Sequence, residues 1–245
     1  MRVVIPFFDH TPAAPKICGI TTIDDAYGVI ESGAGALGFN FYAPSPRSIL
    51  LASDLAWIRK LKADYPDVAR VAVVVNPDET LLKKLLETQS FDAIQFHGDE
   101  SPEFCSVEGI RFPHWIKALR VRSEENLRAA SNFHTPFLLL DAAVPGTYGG
   151  SGHTIDWRLA SRFVDDHPDK RVILAGGLTP ENVAEAVSQV HPHAVDAASG
   201  VESAAGVKDP LKVREFIASA MAGWNGKERF HITPGCNVRK REGLG

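Results

Sequence analysis

Lysine and cysteine stand two residues apart in Lys16-Ile17-Cys18-Gly19-Ile20. On a strand that spacing turns both side chains to one side, and an ammonium beside a thiol favours the thiolate, the form that takes up a proton or attacks an electrophile. The structural alternative is a cysteine packed as a small hydrophobe. Asp141 ends the apolar run Phe137-Leu138-Leu139-Leu140, where a carboxylate is costly unless it is solvated at a rim or used. Cys18 and Asp141 are therefore each candidates for catalysis, the alternative for Asp141 being a helix cap or a loop salt bridge. Gln95 and His97 also share one strand face, with His97 either a base or an anchor for the next loop. Asp196 can orient Lys16 or Cys18, or simply balance the lysine charge.

Two further features suit anions. Arg47 lies in the loop Pro44-Ser45-Pro46-Arg47, where a guanidinium can take a carboxylate in bidentate fashion or stand exposed. Late in the chain, Val172-Ile173-Leu174-Ala175 runs into Gly176-Gly177, and Ala194-Val195-Asp196-Ala197 runs into Ser199-Gly200. Glycine turns after neighbouring parallel strands converge backbone N–H groups on one point, an arrangement that holds phosphate. In (β/α)8 barrels that site follows strands seven and eight.

A barrel needs six strand–helix units upstream of this pair. The sequence supplies strands at Lys16–Ile20, Ala36–Tyr42, Val71–Val75, Ala93–His97, Trp115–Val121 and Phe137–Asp141, each followed by a helical pattern or its cap. Thr179-Pro180-Glu181 reads as the start of the seventh helix, and a last helix is expected from Pro210 to Met221. Short apolar strands alternating with helices argue for a parallel sheet covered on both faces. The glycines from Gly146 to Gly152 have the wrong spacing for a dinucleotide fold, and no P-loop occurs. The 245 residues match the size of a single barrel. The expected fold is one (β/α)8 barrel over residues 15–222, with an extended leader at 1–14 and an irregular tail at 223–245.

Composition narrows the partners. A net charge of −4 gives no global surface for nucleic acid or membrane. No run of about 18 apolar residues marks a membrane span, and the start is a poor signal peptide. Three widely spaced cysteines, Cys18, Cys105 and Cys236, suit neither a disulfide framework nor a zinc site. The expectation is a reduced, cytoplasmic enzyme acting on a small molecule without a metal or organic cofactor, as a monomer or homodimer.

The motifs Lys16-Ile17-Cys18-Gly19-Ile20-Thr21, Gly38-Phe39-Asn40-Phe41 with Ser45-Pro46-Arg47, Gln95-Phe96-His97-Gly98-Asp99-Glu100, Leu139-Leu140-Asp141, Gly149-Gly150-Ser151-Gly152, Gly176-Gly177-Leu178 and Ser199-Gly200-Val201-Glu202 together resemble phosphoribosylanthranilate isomerase of tryptophan biosynthesis. The resemblance runs from about Pro15 to Met221 and carries all seven in order. It implies a (β/α)8 barrel and an Amadori rearrangement, with Cys18 at the position of the general base and Asp141 at that of the general acid. Arg47 matches the arginine on the anthranilate carboxylate, and Gly177, Ser199 and Gly200 fall at the phosphate grip. Where the family reads Asp-Val-Ser-Ser-Gly, this chain has Asp196-Ala197-Ala198-Ser199-Gly200, one hydroxyl fewer. The alternatives are indole-3-glycerol-phosphate synthase, a metal-dependent sugar-phosphate epimerase, and a non-enzymatic phosphate-binding barrel.

Overall fold

The computed structural model describes residues 4–49, 55–106, 112–142 and 155–225. Eight parallel strands close on themselves: β1 (Lys16–Cys18), β2 (Ala36–Asn40), β3 (Ala69–Val74), β4 (Ala93–Phe96), β5 (His114–Val121), β6 (Phe137–Ala142), β7 (Arg171–Leu174) and β8 (Ala194–Ala197). Each pairs with the next, and β8 returns to β1 through Lys16–Asp196 and Ile17–Ala197. The connecting helices are α2 (Ile23–Glu31), α3 (Ala56–Asp64), α4 (Glu79–Glu87), α5 (Pro102–Cys105), α6 (Glu124–Arg128), α7 (Trp157–Asp166) and α8 (Val183–Val190), after a short α1 (Pro6–Asp9). A two-stranded hairpin, β9 (Glu202–Ala204) with β10 (Val207–Lys208), follows β8, and α9 (Pro210–Asn225) ends the described chain. Among the described residues no helix is long and apolar enough to cross a membrane.

The period of two sorts the side chains into two cores. Leu37, Phe39, Val74, Ile94, Leu138, Leu140 and Val172 point outward and pack with the helices. Val71, Val73, Ala93, Ile116, Leu139 and Ile173 point inward and fill the barrel. The helices start where a side-chain oxygen can take a free amide: Thr22 accepts from the Asp25 N–H, Asp78 from Leu81 and Asp156 from Arg158.

The chain departs from expectation at its two ends and in one helix start. The leader is not extended. Pro6–Asp9 is helical because proline is compatible with a first turn and Asp9 Oδ2 accepts the Ile5 N–H at 2.8 Å. This helix drives Phe7 and Phe8 into the N-terminal end of the barrel, where Phe8 stacks on His114 at 4.2 Å and meets the edge of Phe137 at 5.0 Å. His193 fastens the segment, with Nε2–H donating to the Phe7 carbonyl at 2.9 Å and Nδ1 3.0 Å from Thr11 Oγ1. Ala13 N–H donates to the His193 carbonyl at 2.8 Å. Burial pushes the His193 imidazole below its usual range. At the other end, the last helix continues past Met221 to Asn225, held by Trp224 Nε1–H donating to the Pro192 carbonyl at 3.1 Å. The helix expected from Pro180 begins instead at Val183, because Thr179 to Asn182 form a preceding turn in which Asn182 Oδ1 accepts the Thr179 N–H. The Gly149–Gly152 loop and the tail beyond Asn225 lie outside the described residues.

Candidate active site

The mouth at the C-terminal ends of the strands opens into a cavity of about 460 Å³. Cys18, itself half-buried, lines it. Gly38 lies opposite Cys18 in the β1–β2 register, and a Cβ there would stand 2.7 Å from Sγ, so the thiol owes its room to that glycine. Lys16, one pleat below and wholly buried, donates from Nζ to Asp196 Oδ1 at 2.9 Å. Burial alone would lower the lysine, but Asp196 and Cys18 hold it above its ordinary value, so it stays charged. The Cys18 thiol is pushed up by burial, which outweighs the pull of Lys16 while Asp196 opposes that pull. Lys16 thus favours the thiolate as expected, but burial is the larger effect and keeps the thiol above its ordinary value.

Across the mouth, Asp141 is buried at the end of β6, with Oδ1 accepting the Ala142 N–H at 2.8 Å. Its Oδ2 stands 3.1 Å from His97 Nε2, and His97 Nδ1 lies 2.8 Å from Gln95 Nε2. His97 therefore couples to the candidate acid rather than anchoring the next loop. That loop is organised by Glu100, which accepts from the Asn76 and Gly98 N–H groups and pairs with Lys117 at 2.7 Å. Gly176 flanks Asp141 at φ +84°, and a Cβ on it would come within 2.6 Å of the Ala142 nitrogen.

Arg47 reaches the cavity by a built path. Asn40 Nδ2 donates to Ser45 Oγ, and Ser45 Oγ accepts the Arg47 N–H, each at 3.2 Å. The Arg47 stem then lies over Gly19, where a Cβ would be 2.5 Å from Cδ. Its Nε and Nη2 donate to the two Glu202 oxygens, both at 2.8 Å. Lys208 Nζ donates to Glu202 Oε1 and to the Cys18 carbonyl, again each at 2.7 Å. Burial would raise the Glu202 carboxyl, yet Arg47 and Lys208 hold it below its usual range. The bidentate edge expected for a ligand carboxylate is thus occupied by Glu202, and the Nη1 edge lies outside that pair.

On the far side of the cavity the two glycine turns meet. Gly176, Gly177, Ser199 and Gly200 all line it. Gly177 has φ +60°, and a Cβ on Gly200 would overlap the Leu178 carbonyl oxygen, so the turns approach as closely as backbone allows. Convergent amides with an adjacent hydroxyl fit a phosphate. The structure therefore gathers Cys18, Arg47, His97, Asp141, Asp196, Gly177, Ser199 and Gly200 around one cavity, with Lys16 beneath its wall. Glu202, Lys208 and Gln95 had no assigned role in the sequence. Glu202 and Gln95 stand inside quoted motifs, whereas nothing in the sequence separates Lys208 from a surface lysine.

The family model for N-(5'-phosphoribosyl)anthranilate (PRA) isomerase matches residues 15–219. An N-(5'-phosphoribosyl)anthranilate isomerase from Thiobacillus denitrificans is 45% identical over 209 residues, which is 84% of this chain and 97% of the relative. Among solved structures, phosphoribosyl anthranilate isomerase from Thermotoga maritima superposes with a TM-score of 0.74 at 37% identity, covering 85% of this chain and 98% of the other. A second, solved in complex with reduced 1-(o-carboxyphenylamino)-1-deoxyribulose 5-phosphate, has a TM-score of 0.71 at 35% identity, covering 85% and 98%. A family match spanning the whole barrel, joined to identity of this level over most of both chains, has one consequence: the chain belongs to the N-(5'-phosphoribosyl)anthranilate isomerase family.

Proposed function

We propose that the chain catalyses the Amadori rearrangement of N-(5'-phosphoribosyl)anthranilate to 1-(2-carboxyphenylamino)-1-deoxyribulose 5-phosphate, a step of tryptophan biosynthesis, with Asp141 as general acid and Cys18 as general base. The observation that carries this reading is that Cys18 and Asp141 line one cavity whose rim offers a guanidinium and a pair of glycine turns. The substrate has a carboxylate at one end and a phosphate at the other. Arg47 takes the first through its Nη1 edge, and the amides around Gly177 and Gly200, with Ser199, take the second.

Asp141 gives its proton to the ribose ring oxygen as the nitrogen lone pair expels it. The ring opens and leaves an iminium cation. Cys18 then removes the C2' proton, and the resulting enolamine tautomerises to the ketone. Burial resists the thiolate, but a neighbouring cation favours an anion. The iminium therefore promotes the ionised base at the stage that needs it. The change is redox-neutral, so these residues supply its proton transfers alone. A fluorescence assay following loss of phosphoribosylanthranilate tests the reading directly: turnover is expected, and binding without turnover would leave a phosphate-ligand barrel instead.

A further inference from the structure

Gln95 is wholly buried on the inner face of β4, between Val73 and Ile116 in the strand register. Its amide meets His97 Nδ1 at 2.8 Å, and its Oε1 has no hydrogen-bond partner among the described residues. Buried amides are normally bonded on both sides, so this one is held on one side only. A half-turn about its last bond would break no other hydrogen bond.

The amide can therefore serve either form of the ring it touches. When Asp141 is a carboxylate, His97 donates from Nε2, and its bare Nδ1 accepts an N–H from Gln95. When Asp141 carries a proton on Oδ2, that O–H donates to His97 Nε2 across the same 3.1 Å. The ring proton then sits on Nδ1, and the Gln95 oxygen receives it. The heavy atoms stand alike in both arrangements, His97 holds one ring proton in each, and only the amide turns.

We propose that Gln95 is a positioning residue for the acid: by turning its amide to match the His97 tautomer, it lets Asp141 rest as a protonated acid bonded to a neutral imidazole. The inference rests on the reading of Asp141 as general acid. Among the described residues the other ionisable groups lining the mouth are Cys18, Tyr42, Arg47 and Asp196, the last with its partner Lys16. Arg120 stands beside Asp141 in the β5–β6 register and pairs with Asp99.

Imidazole NMR correlation spectra of the wild-type protein, taken from about pH 5 to about pH 9, distinguish the two tautomers of a neutral histidine. His97 is expected to carry its proton on Nδ1 while Asp141 is protonated and on Nε2 once it is ionised, so the tautomer should change at the limb of the kcat/KM profile that belongs to Asp141. Gln95→Glu offers Nδ1 only an acceptor and should move that limb to higher pH. Gln95→Met offers nothing and should move it to lower pH. Each shift is expected to be about one unit or more, with kcat affected before KM. A purely structural role would lower activity in both variants without moving the limb in opposite directions. The proposal is overturned if wild-type His97 keeps its proton on Nε2 throughout, or if the limb stays fixed in both variants. Asp141→Asn separates the two levels. Full activity there sinks the acid itself, whereas an inactive Asp141→Asn beside an unmoved limb sinks only the role of Gln95.

Discussion

Lys16 reaches across the β1–β8 seam to Asp196, Nζ to Oδ1 2.9 Å, and the carboxylate opposes part of the pull that the lysine exerts on Cys18. Burial outweighs that pull and holds the thiol above its ordinary range. Alkylation of Cys18 should be slow at neutral pH and accelerate only on the alkaline side of the usual thiol range. Asp196→Asn leaves the lysine charge uncompensated, which lowers the thiol and should speed alkylation at fixed pH. Equal rates in the two proteins would show that Lys16 does not act on Cys18. Cys105, buried and pushed up to about 12, should stay unlabelled in the folded protein.

The proposed acid and base can be separated by substitution. Cys18→Ala and Asp141→Asn should each lower kcat by at least ~10²–10⁴ while thermal unfolding stays near wild type, the range expected of a positioned proton donor or acceptor. In Cys18→Ser the alkaline-side activity should collapse, since a serine hydroxyl does not ionise there. Near-full turnover in either Cys18→Ala or Asp141→Asn would remove that residue from the chemistry and make His97 the next base to examine.

Arg47 and Glu202 should behave as one unit. Arg47→Ala loses a charge-assisted bond to the substrate carboxylate worth roughly 1.5–3 kcal/mol, or about 10- to 150-fold in KM. Glu202→Gln keeps the guanidinium but loosens its aim, so KM should rise less, and the double variant should fall short of the product of the two effects. Independent effects on KM would mean that Glu202 does not orient Arg47.

Gly200 has no room for a side chain against the Leu178 carbonyl. Gly200→Ala must push the two turns apart, at a cost of about 1–3 kcal/mol in stability, and should weaken inhibition by inorganic phosphate. Ser199→Ala should be mild by comparison, because backbone amides carry most of the proposed grip. Gly177→Asp, which puts a carboxylate where the phosphate is placed, should abolish substrate binding, and normal affinity there would move the grip elsewhere.

Phe8 lies at the opposite end of the barrel from the cavity. Phe8→Ala should cost about 3–5 kcal/mol in a urea titration and leave kcat and KM unchanged below the unfolding transition. A large loss of kcat in a folded Phe8→Ala protein would contradict the separation of the two ends.

The barrel is legible because each strand announces itself locally: Val71–Val74 is a run of small and β-branched residues, and all four are buried. Lys16 and Cys18 are legible for the same reason, since strand pleating places residues two apart on one side. What escapes is pairing over long separations. Arg47 and Glu202 stand 155 residues apart, and Lys208 and Cys18 stand 190 apart, so nothing local tells a buried, paired charge from a solvated one. The leader misleads for a related reason. Phe7 and Phe8, between Pro6 and Asp9, look like a broken apolar patch until residues far downstream supply the socket they fill.

That socket gives the chain an order in time. Phe7 and Thr11 are fastened by one of the last parts of the barrel to be made: both bond to His193, 186 and 182 residues later. At about 5–20 residues per second, synthesis separates the two by roughly 10–40 s. Throughout that interval Phe7 and Phe8 lack their final seat, and the barrel they seal has no β8 to close it. This early segment is therefore among the last to take its place, and a chaperone that shields it on the nascent chain would be serving the final step of this fold.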